Sequence, residues 1–120
     1  MKSFSGVVQK GTKRAASLGY PTVNIPLDDA SVSGIYAARV AVGDARYLAA
    51  AFADPTRRVL EAHIIDASPD LYGKEITIEL IENLRDSATF ESDDTLRAAI
   101  ADDVQKVREY FKSGTLRSIP

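Results

Sequence analysis

Strand-like segments in roughly the first 80 residues, several with alternating apolar and polar side chains, constrain the fold more than any other feature of the chain. The pattern is clearest in GIYAARVAV at 34–42, RVLEAHIID at 58–66 and KEITIELI at 74–81. Because successive side chains of an extended chain point to opposite sides, each segment presents one apolar face and is predicted to be a strand. Gly43 and Asp44 predict a tight turn into ARYLAAAF at 45–52, which would form a hairpin.

The period of the apolar residues changes at SDDTLRAAIADDVQKVREYFKSG, residues 92–114. Spacings of three and four residues place one apolar stripe along a helix: Leu96, Ile100, Val104, Val107 and Phe111. Ser92 suits the N-cap, and Gly114 is placed to end the helix. We therefore predict an all-β fold, a small antiparallel barrel at about 1–85, with one C-terminal α-helix at about 92–112 packed on the sheet.

The composition indicates one globular domain and excludes several classes of protein. The chain has 120 residues, 45% of them hydrophobic, and it has no cysteine for disulfides or thiolate metal sites. A formal net charge of −2 argues against a nucleic-acid-binding surface. The start lacks a signal peptide, and the longest apolar run, YLAAAFA at 47–53, is too short for a bilayer. We expect a cytoplasmic monomer without nucleic-acid or membrane partners.

Thr22 and Asn24 are the first candidates for chemistry. They lie two residues apart behind Pro21, so in an extended segment their oxygens point the same way. Neutral oxygens suit Mg²⁺ when phosphates and waters complete its coordination shell. By itself, the spacing favours an ordinary strand start or turn over a metal site.

Glu61 is the second candidate, because it lies in the middle of a predicted strand between apolar neighbours. A carboxylate fixed on a rigid strand can act as a general base, although a solvent-facing strand residue is the plainer interpretation. His63 lies on the same face and is predicted to be a structural hydrogen bonder.

The third candidate is GTKRAASLG at 11–19, whose amides and basic side chains could wrap phosphates, although it lacks the Walker A spacing.

Taken in order, the segments resemble the riboflavin kinase (flavokinase) family, which in bacteria usually forms the C-terminal half of a bifunctional FAD synthetase. The resemblance covers roughly residues 3–111 and is carried by SGVVQKG, LGYPTVNI, SGIYAARV, LEAHIID, DLYGKEITIEL and LRDSATFESDDTLRAAIADDVQKVREYF. It implies a six-stranded antiparallel Greek-key barrel with a C-terminal helix. It also implies transfer of the γ-phosphoryl group of a nucleoside triphosphate, ATP here, to the riboflavin 5′-hydroxyl, giving FMN and ADP.

The resemblance further implies a role for individual residues. Thr22 and Asn24 would bind the Mg²⁺ that bridges the nucleotide phosphates, and Glu61 would be the base that orients the flavin hydroxyl. The implied nucleotide-binding residues are Gly11, Lys13, Arg14, Leu18, Gly19, Pro21, Thr22 and Asn24. The implied flavin-binding residues are Arg85, Phe90 and Ser92.

Two segments depart from the family's pattern, both on the expected nucleotide side. The family has a Gly-rich flap where this chain carries Lys13, Ala15 and Ala16, and alanine restricts the backbone where glycine does not. AAAFADPTRRVLE at 49–61 replaces the family's Asn-Ile-Gly, Pro-Thr-Phe and longer loop. A non-catalytic flavin- or nucleotide-binding barrel is therefore the alternative to an enzyme. No adenylyltransferase half accompanies the matched segment, so conversion of FMN to FAD is not expected.

Overall fold

The computed structural model describes residues 2–11 and 14–117. The described residues form six strands and two helices: β1 Lys2–Val7, α1 Arg14–Ser17, β2 Val23–Pro26, β3 Gly34–Val42, β4 Ala45–Asp54, β5 Val59–Ile64, β6 Glu75–Arg85 and α2 Asp93–Arg117. Every strand pair is antiparallel, and the strand order is β1-β6-β3-β4-β5-β2. The predicted hairpin is confirmed, since β3 and β4 pair around the Gly43–Asp44 turn.

The two ends of the sheet approach each other beyond the end of β1. The Gln9 backbone N–H donates a hydrogen bond to the Asn24 carbonyl at 2.8 Å, which links this segment to β2. The neighbouring Val8 N–H donates to the Lys74 carbonyl at 2.9 Å. The sheet is thereby a nearly closed barrel, and the prediction of a small all-β barrel with a C-terminal helix is confirmed.

The barrel core follows the alternation of the sequence. On β5, Leu60 and Ala62 are fully buried, whereas Glu61 and His63 lie half-buried on the opposite face. The same alternation buries Ile76 and Ile78 of β6. Apolar side chains from all six strands therefore fill the barrel, and the outer face of β5 is left for other contacts.

Helix α2 packs against the outer face of β3 and β4, where Val107 is fully buried with Ala37 and Ile65. The Ser92 hydroxyl accepts a hydrogen bond from the Thr95 N–H at 3.2 Å, as expected of an N-cap. The predicted end near residue 112 is wrong, because α2 continues through Gly114 to Arg117. A glycine inside a helix costs only about 1 kcal/mol relative to alanine, so it does not by itself end one.

None of the helices among the described residues combines the length and apolar character needed to cross a membrane.

Replacing Leu60 by alanine should lower the free energy of unfolding by about 2–5 kcal/mol, because the side chain is 0% exposed and its removal leaves a cavity. Leu48 on neighbouring β4 is 37% exposed and provides the control. Leu48→Ala should shift the free energy of unfolding by about 0.5 kcal/mol or less. Urea denaturation of both variants makes the measurement, and equal losses would contradict this description of the core.

Candidate active site

A cleft of about 350 Å³ lies on the outer face of the barrel, between β4 and β5, the segment after β6, and α2. Its apolar lining includes Ala50, Phe52, Phe90, Leu96 and Ile100. Its polar lining includes Arg14, Thr22, Arg57, Glu61, His63 and Arg85. An apolar cleft that also holds a few convergent polar groups is the usual form of a small-molecule site.

The cleft brings together residues that the sequence analysis assigned to different ligands. Thr22 and Arg14 come from the predicted nucleotide side, Arg85 and Phe90 from the predicted flavin side, and Glu61 lies in the same cleft. Several other predicted site residues lie outside its lining: Gly11, Leu18, Gly19, Pro21, Asn24 and Ser92. Lys13 falls outside the described residues.

Asn24 lies beside the cleft, held by its neighbours. Its side chain is 6% exposed, and its Nδ2 donates a hydrogen bond to the Gln9 carbonyl at 3.5 Å. The Thr22 hydroxyl donates to the Asn24 Oδ1 at 3.5 Å, so the two oxygens converge as the sequence predicts. Gly11 covers this amide, and a Cβ there would lie 2.8 Å from the Asn24 Cγ. The glycine therefore leaves the space that the Asn24 side chain fills.

The Thr22 and Asn24 oxygens fit a hard cation that also binds phosphate. Both are neutral oxygens of the kind that Mg²⁺ prefers. In residues 2–11 and 14–117, no cluster of three or more His, Cys, Asp or Glu side chains is placed to hold a metal ion. Two neutral ligands without a carboxylate bind a dication weakly, so the anionic ligands would have to come from a bound nucleotide.

Glu61 lies directly opposite Asn24 across the β2–β5 pair and opposite Phe52 across the β4–β5 pair. Burial raises the pKa of the Glu61 carboxyl above its ordinary value. The nearby Arg57 guanidinium acts in the opposite direction on that pKa, and Asp54 acts in the same direction as burial. A half-buried carboxylate of raised pKa is suited to take a proton from a hydroxyl group.

Arg85, which the sequence predicts to contact the flavin, is held by hydrogen bonds within the protein. Its Nε and Nη2 donate to the two carboxylate oxygens of Asp103, each at 2.8 Å, and its Nη1 donates to the Asp86 carbonyl at 3.0 Å. Hydrogen bonding to the Asp103 carboxylate, which accepts from the guanidinium, raises the pKa of Arg85. The guanidinium also lies 5.7 Å from the centre of the Phe90 ring. Arg85 therefore ties the end of β6 to α2 and places Phe90 in the cleft.

Sequence reasoning missed Asp103, although the sequence carries a signal for it. Asp103 follows Ile100 by three residues and precedes Val107 by four, so a carboxylate stands in the apolar stripe of α2. It is 4% exposed, and a buried acid normally requires a cation.

His63 is a structural hydrogen bonder as predicted, since its Nδ1 donates to the Pro21 carbonyl at 2.8 Å.

The sequence model of the Flavokinase family, described as riboflavin kinase, matches residues 2–111. The chain belongs to the riboflavin kinase family. The bifunctional riboflavin kinase/FMN adenylyltransferase of Escherichia coli (strain K12) is 36% identical over 118 residues, covering 91% of this chain and 38% of that protein. The trifunctional protein RibF/MnmA of Mycoplasmoides gallisepticum is 33% identical over 117 residues, covering 90% of this chain and 18% of that protein.

A solved structure described as a macrolide-efflux protein from Streptococcus pneumoniae has the same fold, with a TM-score of 0.75 and 26% sequence identity. The match covers 88% of this chain and 38% of that one. This member of the riboflavin kinase family thus spans about two fifths of the Escherichia coli relative and of the solved chain.

Residues 14–19, where the sequence departs from the Gly-rich pattern expected of the family, have a defined local structure. Residues Arg14–Ser17 form the single-turn helix α1, and Gly19 follows with a φ of 96°. Alanine is the strongest helix former and glycine among the weakest, so Ala15 and Ala16 explain the turn of helix. The helix carries Arg14 to the cleft, where its Nη2 lies 3.4 Å from the Asp93 carboxylate.

Replacing Asp103 by alanine should lower the free energy of unfolding by about 2–3 kcal/mol, because Arg85 loses both charge-assisted hydrogen bonds. The expected loss is below that of a fully buried pair, because the Arg85 side chain is 24% exposed. Asp102 is the matched control, because its ion pair to Lys106 lies on the surface. Asp102→Ala should have an effect of about 0.5 kcal/mol or less. Equal effects in thermal melts would contradict the structural role of Asp103.

Proposed function

We propose that this domain is a riboflavin kinase that transfers the γ-phosphoryl group of ATP to the riboflavin 5′-hydroxyl, producing FMN and ADP. The observation that carries the proposal is the pairing of Asn24 with Glu61 across two strands, with Thr22 beside them, in a chain of the riboflavin kinase family. This arrangement puts neutral oxygen ligands for a phosphate-bound cation next to a carboxylate that can act on a hydroxyl group.

Glu61 has two tasks in the proposed reaction. Its carboxylate accepts a hydrogen bond from the riboflavin 5′-hydroxyl, which fixes the attacking oxygen, and then takes the hydroxyl proton. The oxygen forms a bond to the γ-phosphorus while the bond from that phosphorus to the β–γ bridging oxygen breaks. ADP leaves with the electron pair of the broken bond. The raised pKa of Glu61 makes its carboxylate a better proton acceptor than an ordinary glutamate.

Thr22 and Asn24 would hold Mg²⁺ together with the nucleotide phosphates. When bound, the cation supplies positive charge against the phosphate oxygens. The chain's own contribution is to fix the two oxygens in place: the barrel closure at Gln9 holds Asn24, and Gly11 leaves room for its side chain. Among the other proposed nucleotide-side residues, Pro21 is anchored through its carbonyl to His63, and Leu18 is buried.

The flavin ring system would lie against the apolar wall of the cleft, where Phe90, Leu96 and Ile100 are exposed to it. The planar aromatic ring of a flavin is suited to pack on Phe90. Arg85 would act by holding Phe90 and the start of the 86–91 segment rather than by a large contact of its own. Ser92 would contribute indirectly, because its hydroxyl caps α2.

A non-catalytic flavin- or nucleotide-binding barrel is the second candidate, and α1 is the observation that favours it. A turn of helix stands where the family has a Gly-rich flap, which changes the segment expected over the nucleotide. In either case, we propose a cytoplasmic monomer that binds neither nucleic acid nor membranes. Incubation with riboflavin, ATP and Mg²⁺ decides between the candidates, because only the enzyme produces FMN.

Replacing Glu61 by glutamine should reduce kcat for FMN formation by ~10²–10⁴, since glutamine keeps the volume but cannot take the proton. Riboflavin affinity should change little, because the flavin ring contacts other residues. Steady-state FMN formation, followed by chromatography of the flavins, provides the measurement. A kcat within a factor of about two of the wild type would remove Glu61 from the reaction.

Thermal melts of the same variant at different pH values provide its control. A carboxyl whose pKa is raised by folding contributes stability below its unfolded-state pKa, and that contribution is lost as pH rises through the folded-state pKa. The Glu61→Gln variant should therefore have a higher melting temperature than the wild type at pH 7. The difference should disappear below pH 4.5, the ordinary pKa of a glutamate carboxyl. A lower melting temperature at pH 7 would mean that the variant is damaged and would contradict the description of Glu61 as a desolvated acid.

Mg²⁺ should bind this protein only in the presence of nucleotide, because Thr22 and Asn24 offer two neutral oxygens and no carboxylate. Isothermal titration calorimetry with Mg²⁺ alone should show no binding at micromolar concentrations. The same titration with a non-hydrolysable ATP analogue should show binding that Thr22→Val weakens. Tight binding of Mg²⁺ without nucleotide would contradict this metal site.

A further inference from the structure

The turn between β4 and β5 carries an arginine into the cleft. Arg57 lines the cleft together with Glu61, and its charge acts on the Glu61 carboxyl. Asp54 fixes the turn, since its Oδ1 accepts a hydrogen bond from the Arg57 backbone N–H at 3.1 Å. The guanidinium is therefore delivered by a short, hydrogen-bonded turn to a position close to the carboxylate that we propose acts on the hydroxyl group.

Among the described residues, the three arginines that line the cleft differ in how their guanidinium groups are bound. Arg85 makes two hydrogen bonds to Asp103 at 2.8 Å, and Arg14 lies 3.4 Å from Asp93. Within the described part of the chain, the Arg57 guanidinium makes no hydrogen bond, and its ion pair to Asp54 is long at 3.7 Å. The Arg57 side chain is 45% exposed. Its N–H groups are thus available to an anionic ligand in the cleft.

We propose that Arg57 binds the phosphoryl group during its transfer and the 5′-phosphate of FMN afterwards. This inference rests on the proposed function. The reacting 5′-oxygen lies at Glu61, so the phosphoryl group that it receives lies within reach of the neighbouring guanidinium. Arg57 forms no covalent bond and takes no proton. The oxygen–phosphorus bond forms, the bond to the bridging oxygen breaks, Glu61 takes the proton, and Arg57 donates N–H hydrogen bonds to the phosphoryl oxygens.

The planar guanidinium is well suited to this task, because it can donate two parallel hydrogen bonds to a phosphate. A role confined to closing the turn would rest on the Asp54 ion pair. That pair is long and partly exposed, and such pairs contribute little to stability. The adjacent Arg58 offers a comparison, since it pairs with Asp28 at 3.1 Å, is 73% exposed and does not line the cleft.

The test compares Arg57→Gln with Arg58→Gln, which remove the same charge from neighbouring positions of one turn. Arg57→Gln should lower kcat for FMN formation by about 10²–10³, as expected when a donor to a developing charge is lost. It should weaken FMN affinity about 10–100-fold, the usual effect of losing a charge-assisted hydrogen bond, while riboflavin affinity changes less than about twofold. Arg58→Gln should leave all three quantities within about twofold of the wild type.

Riboflavin and FMN affinities are measured by flavin fluorescence, so the binding readout does not depend on turnover. Riboflavin lacks the phosphate, and the difference between the two flavins isolates the contact in question. Arg57→Lys keeps the positive charge but lacks the two parallel N–H donors of a guanidinium, and its kcat should be about tenfold lower than that of the wild type. If thermal melts show that Arg57→Gln is unstable, the lysine variant carries the test.

Normal FMN formation and normal FMN affinity in the Arg57 variants, with wild-type enzyme active, would overturn this inference alone. Equal losses in the Arg57 and Arg58 variants would also overturn it, because they would reflect overall charge. A wild-type protein that forms no FMN and binds neither flavin would overturn the proposed function and this inference together.

Discussion

The antiparallel register of β2 against β5 determines where the polar groups of the candidate site stand. Ile25 pairs with Leu60, and both side chains are buried in the barrel core. One residue earlier on β2, Asn24 pairs with Glu61 on the outer face. Because side chains alternate, a slip of one residue would turn Ile25 out of the core and separate Asn24 from Glu61. Core packing therefore holds the site together, and the polar residues need not stabilise one another.

The separation between an apolar core and polar groups on the outer face also explains where the cleft lies. The interior is filled by side chains, so a ligand must bind outside the sheet. Helix α2 supplies the wall there, and the partly buried Arg85–Asp103 pair ties that wall to the end of β6. The cleft has an apolar side on α2 and a polar side on β5, and these suit the two ends of a molecule with a ring system and a hydroxylated chain.

The sequence predicts the barrel well because two-residue alternation reports burial directly, as Leu60 and Ala62 illustrate. It predicts α2 but not its end, because Gly114 only weakens a helix. The Arg85–Asp103 contact joins two elements through a segment without periodicity, so only the misplaced acid in the stripe points to it. The roles of Thr22, Asn24 and Glu61 depend on the family resemblance, since their spacing alone fits ordinary strands, and those roles stay predictions.

A crystal structure of the protein with riboflavin, Mg²⁺ and a non-hydrolysable ATP analogue would show whether Glu61, Thr22 and Asn24 act together on the two substrates. We expect the riboflavin 5′-hydroxyl to lie within hydrogen-bond distance of the Glu61 carboxylate, about 2.6–3.2 Å between oxygens. We also expect the γ-phosphate to lie on the side of Thr22 and Asn24. A flavin bound in the cleft with its 5′-hydroxyl pointing away from Glu61, or a nucleotide bound apart from Thr22 and Asn24, would contradict the proposed roles of these residues.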